Sequence, residues 1–277
     1  MKCSLIIMVY NDIKTLTLTF EALKIQTEKD FEVIIADDGS NSDFVSKLQK
    51  LISEANFKVK HIWHEDNGWQ KEIVMNKAIV ASESDYIIFI DGDCIPHKRF
   101  IEEHLKLAKE GQVVAGRRVM LTKEVTDSLT PELIASGKMH SYVWPRILWA
   151  GLTGKINQAE SVIRLPLFLR RILIPQKRVG LLGCNFSLYK KDILAVNGFD
   201  ERFLYPAVGE DTDLECRLNR IGIYCTIERH LATVYHIWHK LDHTGEEKNL
   251  PLFEENNSNN VSWTPYGIIK EDSRKDA

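Results

Sequence analysis

Residues 86–93, YIIFIDGD, form an apolar run that ends in two carboxylates, Asp91 and Asp93, around Gly92. A continuous apolar run of this length is typical of a strand that is buried on both faces of a sheet. Ligands bind at the carboxyl ends of the strands in an open α/β sheet, so both carboxylates are predicted to meet a ligand. An Asp-x-Asp pair on a tight turn can hold a hard divalent cation, and the cation can hold a diphosphate. A solvated turn that caps a helix is the alternative interpretation.

Strand and helix patterns alternate on both sides of this run. We predict strands at residues 3–9, 31–36, 58–63, 86–90 and 113–115, and helices at residues 12–26, 43–55, 69–81 and 96–109. Apolar strands that alternate with amphipathic helices indicate a parallel sheet covered on both faces. Right-handed crossovers bring the loops after the strands to one edge of such a sheet. The segments Tyr10-Asn11, Asp37-Asp38-Gly39-Ser40 and Asn67-Gly68 fall on these loops.

The regular alternation stops after residue 118. Residues 120–178 contain Trp144, Pro145 and Trp149 and are predicted to be largely helical. Strand-like order returns at 180–188, and we predict helices from residue 190 and at 209–221, with late strands at 223–227 and 231–236. The chain is polar from residue 241, and residues 254–260 are low in complexity, so a mobile tail is expected.

The composition is that of an ordinary globular protein of 277 residues, of which 44% are hydrophobic and 27% charged. The net charge of −3 gives no general attraction for nucleic acid, so no nucleic-acid partner is predicted. The five cysteines are scattered without a Cys-x-x-Cys motif, which favours free thiols in a reducing compartment. The chain begins directly with a strand-like run, and no apolar stretch reaches the roughly 18–20 residues that span a bilayer. We therefore expect a cytoplasmic protein.

Two further acidic groups are candidate site residues. Asp37 and Asp38 follow a predicted strand, where a carboxylate can accept a hydrogen bond from a nucleobase; an Asx turn that caps the next helix is the simpler interpretation. Glu210, Asp211 and Asp213 crowd the start of a predicted helix. They could complement the helix dipole, or one could be a general base, since an ordinary Asp with a pKa of about 3.9 is ionised at neutral pH.

Two histidines, His236 and His239, follow the last predicted strand. A histidine in this position is usually structural or exposed to solvent. Here the Asp-x-Asp pair still lacks ligands, and imidazole is an acceptable ligand for Mn²⁺. We therefore predict that His236 completes a metal site, and we rank His239 below it.

Taken in order, these motifs resemble the family 2 glycosyltransferases of the GT-A fold. The second half resembles the C-terminal catalytic module shared by β-galactosyltransferases, chondroitin-polymerase-type enzymes and polypeptide N-acetylgalactosaminyltransferases. The similarity covers roughly residues 2–118 and 180–239. It is carried by Val9-Tyr10-Asn11, Asp37-Asp38-Gly39-Ser40, Asn67-Gly68, Asn76-Lys77-Ala78, Asp91-Gly92-Asp93, Gly183-Cys184-Asn185-Phe186-Ser187, Asn197-Gly198-Phe199-Asp200-Glu201, Gly209-Glu210-Asp211 and Val234-Tyr235-His236.

The resemblance implies a GT-A fold, an α/β architecture with a mostly parallel central sheet flanked by helices. It divides the chain into a nucleotide-sugar-binding half (1–118), a helical insertion (119–179), an acceptor-binding and catalytic half (180–240) and a polar tail (241–277). It also implies site residues: nucleotide contacts from Val9, Tyr10, Asn11, Asp37, Asp38, Asn67, Lys77, Asp91 and Gly92; metal ligands Asp93, His236 and Asp91; sugar or acceptor contacts from Gly183, Asn185 and Glu210; and Asp211 as the catalytic base.

The implied activity is that of a metal-dependent inverting glycosyltransferase with Mn²⁺ or Mg²⁺ as the cofactor. It would move a hexose or N-acetylhexosamine from a UDP-sugar to a hydroxyl of a glycan or glycolipid in cell-surface polysaccharide synthesis. Cys184 stands where related enzymes often carry Gly or Ala, and Pro206-Ala207-Val208-Gly209 replaces a Trp-Gly, which leaves the acceptor open. The alternatives are a nucleotidyltransferase and a non-catalytic sugar-nucleotide or glycan-binding module.

Residues 164–178 mix basic and apolar side chains. Basic amphipathic helices can lie on anionic membranes, so this segment predicts a peripheral contact with the inner face of the membrane. A packed helix with solvated arginines and a lid over the acceptor are the alternatives.

Overall fold

The computed structural model describes residues 1–173, 180–206, 209–227, 230–240 and 245–270. The strands, in chain order, are β1 Cys3–Val9, β2 Phe31–Asp37, β3 Lys58–Trp63, β4 Tyr86–Asp91, β5 Cys94–Pro96, β6 Gln112–Ala115, β7 Arg118–Met120, β8 Asn185–Tyr189, β9 Tyr224–Ile227 and β10 Val234–His236. Seven of them form a central sheet in the order β3-β2-β1-β4-β8-β6-β9, and the other three form a small sheet in the order β5-β10-β7.

The helices surround these sheets. They are α1 Ile13–Lys24, α2 Ser42–Ser53, α3 Lys71–Ala81, α4 Phe100–Leu107, α5 Lys123–Asp127, α6 Pro131–Ala135, α7 Met139–Leu152, α8 Leu167–Leu173, α9 Lys190–Ala195, α10 Glu210–Arg220 and α11 Glu246–Ser258, with a 3₁₀ turn at Ala159–Val162. Every residue of β1 and β2 is buried, as their mostly apolar sequences predict, and this includes Ser4, Glu32 and Asp37. Separate apolar clusters fill the two faces of the central sheet.

The parallel strands bring their carboxyl ends to one edge. β1 pairs in parallel with both β2 and β4, and this register places Val9 opposite Asp37 and Met8 opposite Asp91. The loops after β1, β2 and β4 therefore meet, as the sequence predicts for a parallel sheet. β8 then joins β4 in antiparallel fashion, so the sheet is mostly but not entirely parallel.

The small sheet connects distant parts of the chain. β10 lies between β5, to which it is antiparallel, and β7, to which it is parallel, and His236 pairs with Cys94 on one side and Met120 on the other. Short helices and the 3₁₀ turn occupy the segment between β7 and β8, where Val143, Ile147 and Val162 pack with Tyr235 of β10 in a third apolar cluster. Residues 174–179 of the predicted helical insertion lie outside the described residues.

The expectation of a mobile tail at residues 254–260 is wrong for most of that segment. Glu246–Ser258 is the helix α11, which contacts α10. Its Asn256 is buried and donates a hydrogen bond to Asp213 of α10, and Asn249 donates one to the carbonyl of Tyr205. Low complexity misled the prediction, because the helix is stabilised by tertiary hydrogen bonds from asparagines rather than by an apolar face. The ends of the predicted tail, 241–244 and 271–277, lie outside the described residues.

Candidate active site

The Asp-Gly-Asp turn joins β4 to β5 at the edge where the parallel strands end. A Cβ atom on Gly92 would lie 2.6 Å from the carbonyl oxygen of Met8, so only glycine fits against β1 here. Asp93 follows directly, and its Oδ2 lies 3.2 Å from Nε2 of His236 and 3.1 Å from Nε2 of His239. Pairing of β10 with β5 places these histidines beside the turn.

These three side chains form a candidate metal centre. One ligand atom from each lies within 4.8 Å of the others. Burial opposes ionisation of Asp93, but hydrogen bonds from the two imidazoles lower the pKa of its carboxyl below the ordinary range. The same contact raises the pKa of His239. We ranked His239 below His236 from the sequence, whereas the structure gives both imidazoles the same access to Asp93.

Asp91, which was predicted to bind nucleotide or metal, does not belong to this three-residue group. Its Oδ1 lies 3.2 Å from Nζ of Lys71, the first residue of α3. The same Nζ lies 3.5 Å from Oε1 of Glu210 at the start of α10. Lys71 is almost fully buried; burial favours its neutral form, but the charges of Asp91, Glu210 and Glu72 raise its pKa well above the usual value. It therefore links the two acidic motifs as a cation.

The sequence interpretation missed Lys71, although a signal was present. A cation in the first turn of a helix opposes the helix dipole, so it needs a local reason such as nearby carboxylates. Its neighbour Glu72 is also buried, and neither carboxyl oxygen has a hydrogen-bond partner among the described residues. Burial raises the pKa of Glu72 well above its ordinary value, which favours the protonated acid.

The predicted base, Asp211, lies in the first turn of α10. Its Oδ2 accepts a hydrogen bond from the backbone N–H of Gly183 at 3.1 Å, and its Oδ1 accepts one from the N–H of Thr212 at 2.7 Å. These donors hold the carboxylate in one orientation. Burial raises the pKa of the adjacent Glu210 to about 7 although Lys71 lies opposite, and Oε2 of Glu210 has no hydrogen-bond partner among the described residues.

The tandem aspartates after β2 have different surroundings. Asp37 is fully buried, and it accepts hydrogen bonds from the N–H of Ser40 and lies 2.9 Å from Nε2 of His61. It therefore stabilises the turn instead of facing a nucleotide. Asp38 lies 2.8 Å from Nε2 of His64 and accepts a hydrogen bond from the N–H of Gln70; burial raises its pKa.

Other predicted residues are spread around the site. Asn11 has a left-handed backbone and ties the loop after β1 to Ser40 and Asn41. Lys77 is exposed on α3 and reaches His64 at 3.4 Å, and Asn67 lies in an exposed loop. None of these three lines the cleft described below.

Asn185 was expected to contact a sugar, but the structure places it in the core. It is fully buried, its Oδ1 lies 3.1 Å from Nε2 of His104, and its amide donates to the carbonyls of Ala232 and Arg117. These contacts connect β8 with the segment that leads into β10. Asn185 therefore supports the position of His236 from a distance.

A cleft of about 230 Å³ opens beside the Asp-Gly-Asp turn. Its walls are formed by Met8, Val9, Tyr10, Asp12, Trp69, Lys71, Asp91, Gly92 and Asp93. The predicted Val9, Tyr10 and Asp-Gly-Asp residues are among them, and Tyr10 is half exposed with its hydroxyl donating to Asp66. Trp69 and Lys71 are additions from the structure. The arrangement can hold a flat aromatic group and an anion beside a cation site.

Comparison with known protein families agrees with the resemblance found in the sequence. Residues 4–194 match the family model described as glycosyl transferase family 2. This chain belongs to glycosyl transferase family 2. The expected enzyme class, a glycosyltransferase, is confirmed.

Curated relatives include polysaccharide-forming enzymes. Chondroitin synthase of Escherichia coli is 29% identical over 80% of this chain, and hyaluronan synthase of Pasteurella multocida is 27% identical over 80%. The matched region is only 32% of the chondroitin synthase and 23% of the hyaluronan synthase, so this chain spans about a third or less of these relatives. An amylovoran biosynthesis glycosyltransferase of Erwinia amylovora is 26% identical over 90% of this chain and 75% of its own length.

Solved structures share the fold. A mannosyltransferase from Pyrobaculum calidifontis, in complex with GDP-Man and Mn²⁺, superposes with a TM-score of 0.60 at 12% identity, over 95% of this chain and 66% of its own. TarS of S. aureus superposes with a TM-score of 0.57 at 16% identity, over 92% of this chain and 39% of its own. The predicted α/β fold with a mostly parallel sheet is confirmed. Among the described residues, no helix is both long and apolar enough to cross a membrane.

Proposed function

We propose that this protein is a metal-dependent inverting glycosyltransferase that moves a hexose or N-acetylhexosamine from a UDP-sugar to a hydroxyl of a glycan or glycolipid. The observation that supports this most directly is the meeting of Asp93, His236 and His239 beside the cleft at the strand ends. Relatives named for chondroitin, hyaluronan and amylovoran synthesis support a role in cell-surface polysaccharide synthesis.

The donor set fits a divalent cation. One carboxylate and two imidazoles suit Mn²⁺ better than Mg²⁺, which prefers oxygen ligands. Asp93, His236 and His239 would hold the ion, and when bound it would act as a Lewis acid toward the diphosphate of the leaving nucleotide. The low pKa of Asp93 keeps the carboxylate charged across the physiological range. The mannosyltransferase with the same fold was solved with Mn²⁺.

The donor would occupy the cleft. Val9 and Tyr10 offer an apolar and an aromatic surface for a uracil-type base. Asp38 lies next to them, since its backbone N–H donates to the carbonyl of Val9 at 3.1 Å. Lys71 supplies positive charge close to the turn. TarS, which shares the fold, was solved with UDP-GlcNAc, and this supports a UDP-sugar without identifying the sugar for this chain.

Asp211 would be the general base. Two backbone N–H groups hold its carboxylate, and Lys71 connects its neighbour Glu210 to Asp91 of the donor side. In this position the base would take the proton of the acceptor hydroxyl as the hydroxyl attacks the anomeric carbon opposite the nucleotide. Such a base contributes typically about 10²–10⁴-fold in rate.

The competing functions have less support. A nucleotidyltransferase would need a Gly-rich basic loop after the first strand, whereas β1 runs into Tyr10-Asn11-Asp12. A non-catalytic binding module would have no need for the metal group together with an oriented Asp211.

A donor-hydrolysis screen tests the proposal. UDP-galactose, UDP-N-acetylgalactosamine, UDP-glucose and UDP-N-acetylglucosamine are each incubated with Mn²⁺, Mg²⁺ or EDTA, and UDP release is measured. We expect Mn²⁺-dependent release from at least one donor, and a stronger rise in melting temperature with UDP and Mn²⁺ than with UTP. Release that is unchanged in EDTA would remove the metal from the mechanism. A larger thermal shift with UTP would favour nucleotidyl transfer.

We also propose that the protein works in the cytoplasm, in peripheral contact with the inner face of the membrane through residues 164–178. The support is a set of exposed apolar side chains on α8, where Phe168, Ile172 and Leu173 are 64%, 75% and 63% exposed. Residues 174–178 of this segment lie outside the described residues. Flotation with liposomes tests the contact, and equal sedimentation with and without liposomes would contradict it.

A further inference from the structure

A second and larger cavity lies away from the donor cleft. It encloses about 420 Å³ and shares no lining residue with that cleft. Its lining residues come from α4, from the segment before α8 and from the turn before β10: Arg99, Glu103, Lys106, Leu107, Arg164, Leu165, Pro166 and Leu231. Nothing in the proposed sugar-transfer mechanism uses this cavity.

One wall of the cavity is cationic. Arg164 is mostly buried, forms an ion pair with Glu103, and donates to Oγ1 of Thr233 at 3.0 Å. Arg99 and Lys106 are half exposed, and both contact Glu102. Three cations therefore share two carboxylates, which leaves an excess of positive charge at the opening.

His97 lies close to the same cations. Burial, followed by the positive charges of Arg164, Lys98 and Arg99, lowers the pKa of His97 to about 2. The cations around this opening outnumber its carboxylates, although the whole chain carries a net charge of −3. An anionic group would be attracted to this opening.

The remaining lining residues of the cavity are apolar. They are Leu107, Leu165, Pro166 and Leu231. Pro166 immediately precedes α8, whose Phe168, Ile172 and Leu173 are exposed to solvent. Phe168 and Ile172 are four positions apart, so these two lie on one face of the helix, and Leu173 is exposed beside them. A cationic opening beside an apolar wall and an exposed apolar helix fits an anionic head with hydrocarbon attached.

We propose that this cavity binds the anionic headgroup and the upper acyl chain of a membrane phospholipid, with α8 lying in the bilayer interface. The inference rests on the membrane contact of the proposed function and gives it a defined site, but it is independent of the metal and donor chemistry. We infer a bilayer lipid because positive charge at the cavity is combined with exposed apolar side chains on α8 outside it. A soluble anion would be bound by the positive charge alone and would not need those apolar side chains.

The position of the cavity suits an acceptor presented from the same surface. Leu231, in the cavity wall, is five residues before His236, so the two Cα atoms are at most roughly 18 Å apart. Ala232 and Thr233 between them are held by hydrogen bonds to Glu103, Asn185 and Arg164. A bound headgroup would therefore set the metal site at a short, constant height above the bilayer.

Flotation of the full chain with phosphatidylcholine vesicles, with and without 30 mol% phosphatidylglycerol, tests the inference. We expect binding that needs phosphatidylglycerol and weakens with salt. Lys106→Glu should reduce the partition coefficient on the order of tenfold, since each basic residue near an anionic surface contributes about 1 kcal/mol and this change reverses one. Lys47→Glu is the matched control, because Lys47 also pairs with an acid one helical turn away and lies on α2.

An apolar pair of variants completes the test. Ile172→Ser should reduce vesicle binding severalfold, whereas Ile269→Ser, an exposed isoleucine elsewhere, should not. Equal binding to both vesicle types, or equal effects of the test and control variants, would overturn the inference. A saturable thermal shift with monomeric dodecyl phosphate without vesicle binding would also overturn it, because the ligand would then be a soluble amphiphile. UDP release is measured in parallel, so that failure of sugar transfer is recognised separately.

Discussion

The two halves of the active site are built in different ways. In the first half, β1, β2 and β4 are parallel neighbours, and their ends carry Val9, Asp38 and the Asp-Gly-Asp turn to one edge. In the second half, His236 and His239 reach the same edge only because β10 pairs with β5, some 140 residues earlier in the chain. The first half depends on local patterns, whereas the second depends on long-range pairing. The proposed chemistry at this edge requires both.

The largest effect is expected from a change at Asp93, the residue of the first half that contacts His236 and His239 of the second half. Asp93→Ala should abolish metal binding and lower sugar transfer by at least about 10³-fold, since a Lewis acid is worth several kcal/mol. Isothermal titration with Mn²⁺ and a UDP-release assay measure the two effects. Asp43→Ala, at an exposed aspartate of α2, is the control. Retained Mn²⁺ affinity in Asp93→Ala would show that the metal binds elsewhere.

The second test addresses the base in the later half. Asp211→Asn should keep donor binding and lower kcat by two decades or more, because the amide cannot accept the acceptor proton. Donor titration and steady-state kinetics separate the two quantities. Asp127→Asn, at an exposed position, should leave both unchanged. Turnover close to that of the unchanged protein would remove Asp211 from this role.

The third test examines the link between the halves. Lys71→Met should lower kcat roughly tenfold to a hundredfold and destabilise the fold, because Asp91 and Glu210 lose their shared cation. Lys47→Met, at an exposed lysine on α2, is the matched control for charge and side-chain length. Similar kinetics for the two variants would mean that the two acidic motifs act independently of Lys71.

The smallest expected effect is a pH dependence of stability. The pKa of Glu210 is about 7 in the folded protein and about 4.5 when unperturbed, so the folded state binds the proton more tightly. Its contribution to stability is complete below pH 4.5 and is lost as the pH rises to about 7. Glu210→Gln should remove this contribution, so that the free energy of unfolding changes by roughly 1–3 kcal/mol less between pH 4.5 and pH 7 than in the unchanged protein.

Chemical denaturation at pH 5, 6, 7 and 8 measures that slope. Glu110→Gln serves as the control, since the side chain of Glu110 is exposed. An identical slope in the Glu210 variant and the unchanged protein would place the titration at another group, with Glu72 the next to examine.

Several elements could be predicted because their pattern is local. β1 and β3 have the predicted bounds, and the Asp-Gly-Asp turn begins at Asp91, the last residue of β4. Failures occurred where tertiary contacts decide. α11 is stabilised by hydrogen bonds from Asn249 and Asn256 to residues outside this helix. The periodicity of apolar residues in the sequence does not predict such contacts. Asn185 matches a family motif, but its partners bury it in the core.

By itself the sequence determined which residues end the parallel strands, because apolar runs and turn residues are short-range features. It also determined the family and the acidic character of the site. Only the tertiary structure decided that His239 joins His236 at Asp93, that Lys71 connects Asp91 with Glu210, and that Arg164 closes one wall of a second cavity. The physical reason is that these contacts join positions far apart in the chain, and strand pairing and burial, not local preference, bring them together.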